Sequence, residues 1–110
     1  MSTTPDPLFE AKYAENAQTT QYTSTGMRTI IDKFQAYNSD TVVQTLTVNI
    51  VASGGAAAAF SVLVVKSLAA GEAYIFPEIV GNILGSGSFI STLASAASKV
   101  VIRSSGRKLT

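Results

Sequence analysis

The chain has 110 residues and a formal net charge of +1 from eight basic and seven acidic side chains, a length that suits one domain with a modest core and excludes two. It contains no cysteine and no histidine, which removes disulfide scaffolding, thiol nucleophiles, imidazole bases and the two commonest zinc ligands together. Charged residues make up only 14% of the sequence, so much of the exterior must be Ser, Thr, Gly and Ala, a surface with room for contact.

The start, MSTTPDPLFE, has neither a basic nor an apolar leader region, so no signal peptide is expected and synthesis in a cytoplasm is the default. Pro5 and Pro7, with little apolar content around them, predict an extended arm over residues 1–13 ahead of a single domain over 14–110. From Glu10 the sequence is weakly helical, then alternates Thr and Gln around Tyr22, the composition of a first, edge strand. Met27 to Tyr37 is a stronger strand with Ile30, Phe34 and Ala36 inward, and Asn38-Ser39-Asp40 is a turn whose side chains can bond their own backbone. A hairpin into Val42 to Val51 is expected.

Thr41 to Val65 carries no charge and is long enough to cross a bilayer, which takes about 20 apolar residues. Gln44, Thr45, Thr47, Asn49 and Ser53-Gly54-Gly55 interrupt it, however, and Val42, Gln44, Leu46, Val48, Ile50 alternate with Val43, Thr45, Thr47, Asn49, Val51. A period of two favours strand, turn, strand over a membrane helix. After a loop at Ala56 to Ala59, a second strand runs from Phe60 to Ser67. Leu68 to Leu84 then turns at Ala70-Gly71, forms a half-buried strand over Glu72 to Phe76, and breaks at Pro77. That proline suits the first position of one short helical turn near Pro77–Leu84 that would put Ile79, Val80, Ile83 and Leu84 on one apolar side. The stretch is expected to cross between two sheet layers. Phe89 to Leu93 is short and extended, ASAAS is a turn, Lys99 to Ser104 is a final strand, and Gly106 releases a basic tail, Arg107-Lys108.

About seven or eight short strands with regular turn signals, and no long helical periodicity, argue for an all-β antiparallel β-sandwich. Its expected core is Ile30, Leu46, Val48, Ile50, Val62, Val64, Phe76, Ile83 and Val101.

No pattern in the chain assembles a catalytic, cofactor or metal site. Gly81, Gly85 and Gly87 lack the following Lys-Ser/Thr of a phosphate loop and read as turn glycines. Asp32, Asp40, Glu72 and Glu78 lie on separate elements and read as surface charges; without His, no serine triad can form. The second half carries five basic and two acidic residues, but the set Lys99, Arg103, Arg107 and Lys108 lacks the density and interleaved aromatics of a nucleic-acid site. A solvated strand edge or a protein contact fits it better. The expected partner-contact residues are therefore Pro5, Pro7, Phe9 and Tyr13 on the arm, and Arg103, Arg107 and Lys108 at the basic end.

Four segments together carry a resemblance: AENAQTTQYTS, Val48 to Gly55, LAAGEAYIFPEIVGNIL and the closing FISTLASAASKVVIRSSGRKLT. From Ala14 onward the chain resembles a group of small tailed-phage virion proteins, most specifically in the GEAYIFPEIVGNIL stretch followed by ASAAS and IRSSGR. The resemblance implies a sandwich of jelly-roll type that serves as a non-enzymatic particle component without cofactor. The major capsid protein or other virion proteins would be its partners, further copies of the chain would associate with it, and its place would be the virion, assembled in the host cytoplasm. It leaves the station open between capsid decoration or cement and a collar, tail or fibre-base position. Cementing calls for a rigid body, an adhesive arm and broad, weakly charged surfaces, all of which this composition can supply. Outside the resemblance stands a glycan-binding module, which fits less well because sugar sites commonly use Trp and this chain has none.

Overall fold

A computed structural model describes residues 3–58 and 61–109. Nine strands follow in order: β1 (Thr3–Tyr13), β2 (Thr19–Thr23), β3 (Arg28–Asn38), β4 (Gln44–Val51), β5 (Val62–Leu68), β6 (Ala73–Ile75), β7 (Ile83–Leu84), β8 (Phe89–Ala94) and β9 (Val100–Leu109). One sheet, A, runs β1-β9-β3-β6, with β7 also on β3; the other, B, runs β2-β8-β4-β5. All pairs are antiparallel. The chain changes sheet at every connection except β4–β5 and β6–β7. That alternation is the wrapping of a jelly roll, and the expected all-β sandwich is what forms.

The two sheets close on one apolar core. Phe34, Ala36, Leu46, Val48, Leu68, Phe76, Ile90 and Ile102 are fully buried, with Ile50 and Val64 half-buried against them. An edge-to-face chain of rings crosses it, from Phe9 to Phe34 (5.8 Å), Phe34 to Phe76 (5.3 Å) and Phe76 to Tyr74 (4.8 Å). Such ring pairs add about 0.5–1.5 kcal/mol each beyond the area they bury.

Several expectations are corrected. Ile30 faces outward and Ile31 is buried, because β3 slips register against β9 between Ile31 and Lys33. Asp32 and Lys33 are consecutive exposed residues at that bulge, so alternation read back from Phe34 reaches the wrong isoleucine. In β9 the buried set is Val100, Ile102, Ser104 and Gly106, which leaves Val101 on the outer face. Val62 and Ile83 are exposed, and Val80 also faces solvent.

The expected hairpin from β3 into β4 is a layer crossing. Asn38 is buried there; its amide nitrogen donates to the carbonyls of Val42 (2.9 Å), Leu68 (2.9 Å) and Ala69 (3.2 Å), and its oxygen accepts from Asp40 N–H (2.9 Å). One side chain thus ties the end of β3 to the end of β5 in the opposite sheet.

The turn after Pro77 is closed by Val80 N–H to the Phe76 carbonyl (3.4 Å) but does not continue as a helix. It buries only Ile79 and Leu84 of the four apolar residues expected inward.

The closing strand does not end at Ser104. Arg107 and Lys108 lie within β9, which runs between β1 and β3 to Leu109. Gly106 allows this: a Cβ there would collide with the Ile30 carbonyl oxygen and press on Leu8.

Residues 3–13, expected as an arm beyond the domain, are the edge strand of sheet A along β9, with Leu8 buried. Residues 1–2 of that arm, and Phe60 at the expected start of β5, lie outside the described residues.

Candidate partner-contact surface

Strand pairing sets four rows of side chains on the outer face of sheet A. The first is Pro5, Arg107, Ile30 and Ile83; the second passes through Pro7 and Ser105 to the bulge at Asp32-Lys33. The third holds Arg103, Gln35 and Ile75, and the fourth Tyr13, Val101, Tyr37 and Ala73. Five of the seven residues anticipated for partner contact, Pro5, Pro7, Tyr13, Arg103 and Arg107, therefore share one surface although they come from opposite ends of the chain. Antiparallel pairing of β1 with β9 is what joins them.

Phe9 and Lys108 do not belong to this face. Phe9 turns inward onto Phe34, so it is an anchor for its own domain. Lys108 donates to Asp6 Oδ2 at 2.8 Å on the rim, and this hydrogen bond holds its ammonium above the ordinary lysine range.

The face is amphipathic. Tyr13 is 50% exposed, Tyr37 42% and Ile75 52%, around a shallow groove lined by Ala11, Gln35, Tyr37, Val101 and Arg103. Neighbouring strands lie about 4.8 Å apart, so Tyr13 and Tyr37, two strands apart, flank Val101 at roughly twice that spacing. Arg107 donates from Nε to both oxygens of Asp32 (3.0 and 3.1 Å), whereas Arg103 enters no ion pair among the described residues. Tyrosine and arginine with an apolar floor are the residue types that dominate protein–protein binding energy.

The outer face of sheet B differs. Its strands contain one charged residue, Lys66, and that side chain lies in the inner register with Nζ 4.4 Å from the Tyr74 ring centre. Part of this face is roofed: Gln18 donates to Ser91 Oγ (2.7 Å), and Asn49 donates to the Ala58 carbonyl (3.2 Å) and to Ser61 Oγ (3.0 Å). The open remainder is a shallow strip of Thr45, Thr47, Leu93 and Ser95.

No family model and no curated protein matches the chain. Among solved structures it is similar to a chain of infectious bursal disease virus, Gt strain, at a TM-score of 0.33 and 9% sequence identity. The likeness covers 97% of this chain and 30% of that one, so the chain spans less than a third of the length of this neighbour.

The four carboxylates weighed for acid–base work remain apart. Asp32 pairs with Arg107 and Asp40 with Lys99; Glu72 accepts the Ala69 N–H of its own turn, and Glu78 accepts the Tyr74 hydroxyl. Gly81 and Gly87 have positive φ, as turn glycines do. Sequence reasoning missed Tyr37, Ile75 and Val101 as surface residues. Tyr37 could have been found, since it lies in opposite phase to the inward pair Phe34 and Ala36.

Proposed function

We propose that this protein is a non-enzymatic structural component of a tailed-phage particle, and specifically a decoration or cement protein that binds between capsid subunits through the outer face of sheet A. The observation that carries the reading is the convergence of Tyr13, Tyr37, Val101, Ile75 and Arg103 on one exposed face of a rigid sandwich. The resemblance in the GEAYIFPEIVGNIL and ASAAS segments supports the same class of object. Adhesion then resides on the sheet face, and β1 contributes its outward residues to it. The test is the protein's copy number in purified particles, read from a stained gel against the major capsid protein. A stoichiometry on the scale of the capsid subunits is expected; that of a single ring would move the protein to the collar or tail, and absence from particles would overturn the reading.

A further inference from the structure

Three of the four sheet edges are blocked against pairing with another strand. Edge β1 carries Pro5 and Pro7, which lack N–H donors, and shifts register twice along β9. Edge β2 is five residues long and has its own register shift. The edge opposite β1 is broken into β6 and β7, of three and two residues, around Pro77. Proteins blunt free edges with just these devices, because an unpaired row of backbone groups is a template for association.

Edge β5 has one of them, a register shift that passes over Leu63 opposite Val48 and Asn49, but residues 64–68 beyond it pair with β4 without interruption. Its seven residues, VLVVKSL, include no proline, and residues 62–67 make no backbone hydrogen bond outside the β4 pairing among the described residues. Val65 is 58% exposed, and Val62 and Leu63 are exposed beside it. Its single charge, Lys66, is engaged over Tyr74 and points away from the outer face.

We infer that β5 pairs antiparallel with β5 of a second copy about a two-fold axis near Val65, joining two B sheets into one continuous eight-stranded sheet. The occupant follows from the edges. Head-to-tail association would need a second receptive edge, and the other three are blocked, whereas an antiparallel edge is complementary to itself and closes as a dimer. Charge agrees: Val65 would meet Val65 of the copy on the outer side, and no unpaired carboxylate or ammonium is desolvated there. The inference is independent of the proposed particle role, since it uses sheet B and leaves the sheet A face open.

The experiment is analytical ultracentrifugation of the full chain and of two variants over a concentration series. The wild type is expected to be dimeric. V65K, a change at an exposed position that sets two ammonium groups opposite each other, is expected to be monomeric with an unchanged circular dichroism spectrum. T47K, one strand inward on the same face, should stay dimeric. Amide hydrogen exchange of the wild type adds a reading that needs no variant: protection at 62–67 should rise with protein concentration while β2 stays unchanged. A monomeric wild type, a trimer, a dimer indifferent to V65K, or a dimer lost in T47K but not V65K would each overturn the inference.

Discussion

The two outer faces of this sandwich close on the same core, yet they differ in kind. Sheet A presents Arg103, Arg107, Asp32 and Lys33 beside Tyr13, Tyr37 and Ile75, while sheet B presents threonine, serine and a few aliphatic residues with no charge in its outer register. Neutral small residues offer a partner few anchors, and some of that face is roofed by Ala58 and Ser61, which accept hydrogen bonds from Asn49. Guanidinium and tyrosine groups on an apolar floor supply both orientation and area for a partner. On the proposed reading, binding belongs to sheet A, and sheet B is left its open edge.

The largest effect expected on this picture comes from stripping sheet A of its edge. Removing residues 3–9 takes Leu8 and Phe9 out of the core and bares β9, and should destabilise by more than the roughly 3–5 kcal/mol of a single buried aromatic truncation. Thermal unfolding followed by circular dichroism would then show a strongly lowered midpoint or no cooperative transition. A truncated chain that melts like the full one would return these residues to the role of an arm.

Next comes the core that both faces share. Phe34→Ala or Phe76→Ala should each cost about 3–5 kcal/mol in urea unfolding, since both rings are fully buried and each contacts two others. Leu93→Ala, on the outer face of sheet B, should stay below about 1 kcal/mol. Equal costs would mean that the two sides of sheet B are assigned the wrong way round.

The smallest effect is the acid response of the rim. Asp40 is held below the ordinary carboxylate range by the Thr41 backbone N–H, then by the Gln44 amide, with Lys99 adding charge attraction. Glu15 is lowered chiefly by the Gln21 amide and also by Lys12. A carboxyl whose pKa falls on folding adds stability above its unfolded pKa and loses it as pH drops through the folded value. Stability should therefore decline on acidification below the ordinary carboxylate range, and Asp40→Asn should flatten that decline. An identical acid limb in the variant would show that Asp40 has no part in it.

Much of the fold was legible in the sequence, because alternation in β4 and the turn signals around it follow from local chemistry. The crossing at Leu68 to Phe76, from β5 to β6, was legible for the same reason. What was hidden depended on contacts between distant segments. The bulge at Asp32 is set against β9, and a one-residue slip exchanges Ile30 for Ile31 in the core. The corner at Asn38 looked like a hairpin turn because its Asx bond to Asp40 is local, whereas the bonds to Leu68 and Ala69 that send the chain to the other sheet are not. Pro5 and Pro7 suggested an unpaired arm, yet prolines are also compatible with an edge strand. Of the contact surface, the residue types were readable and their assembly was not, since Tyr13 and Arg103 become neighbours only through β1–β9 pairing.

The central claim, that the outer face of sheet A is adhesive and that of sheet B is not, is tested most directly by adding purified variants to particles lacking this protein and measuring occupancy by sedimentation. The doubly substituted Tyr37→Ala/Arg103→Ala protein should fold normally and bind at least about tenfold more weakly than the wild type, a loss of roughly 1.4 kcal/mol or more. Thr47→Lys on sheet B should bind like the wild type. Full occupancy by the sheet A variant, or loss of binding by the sheet B variant alone, would contradict the account.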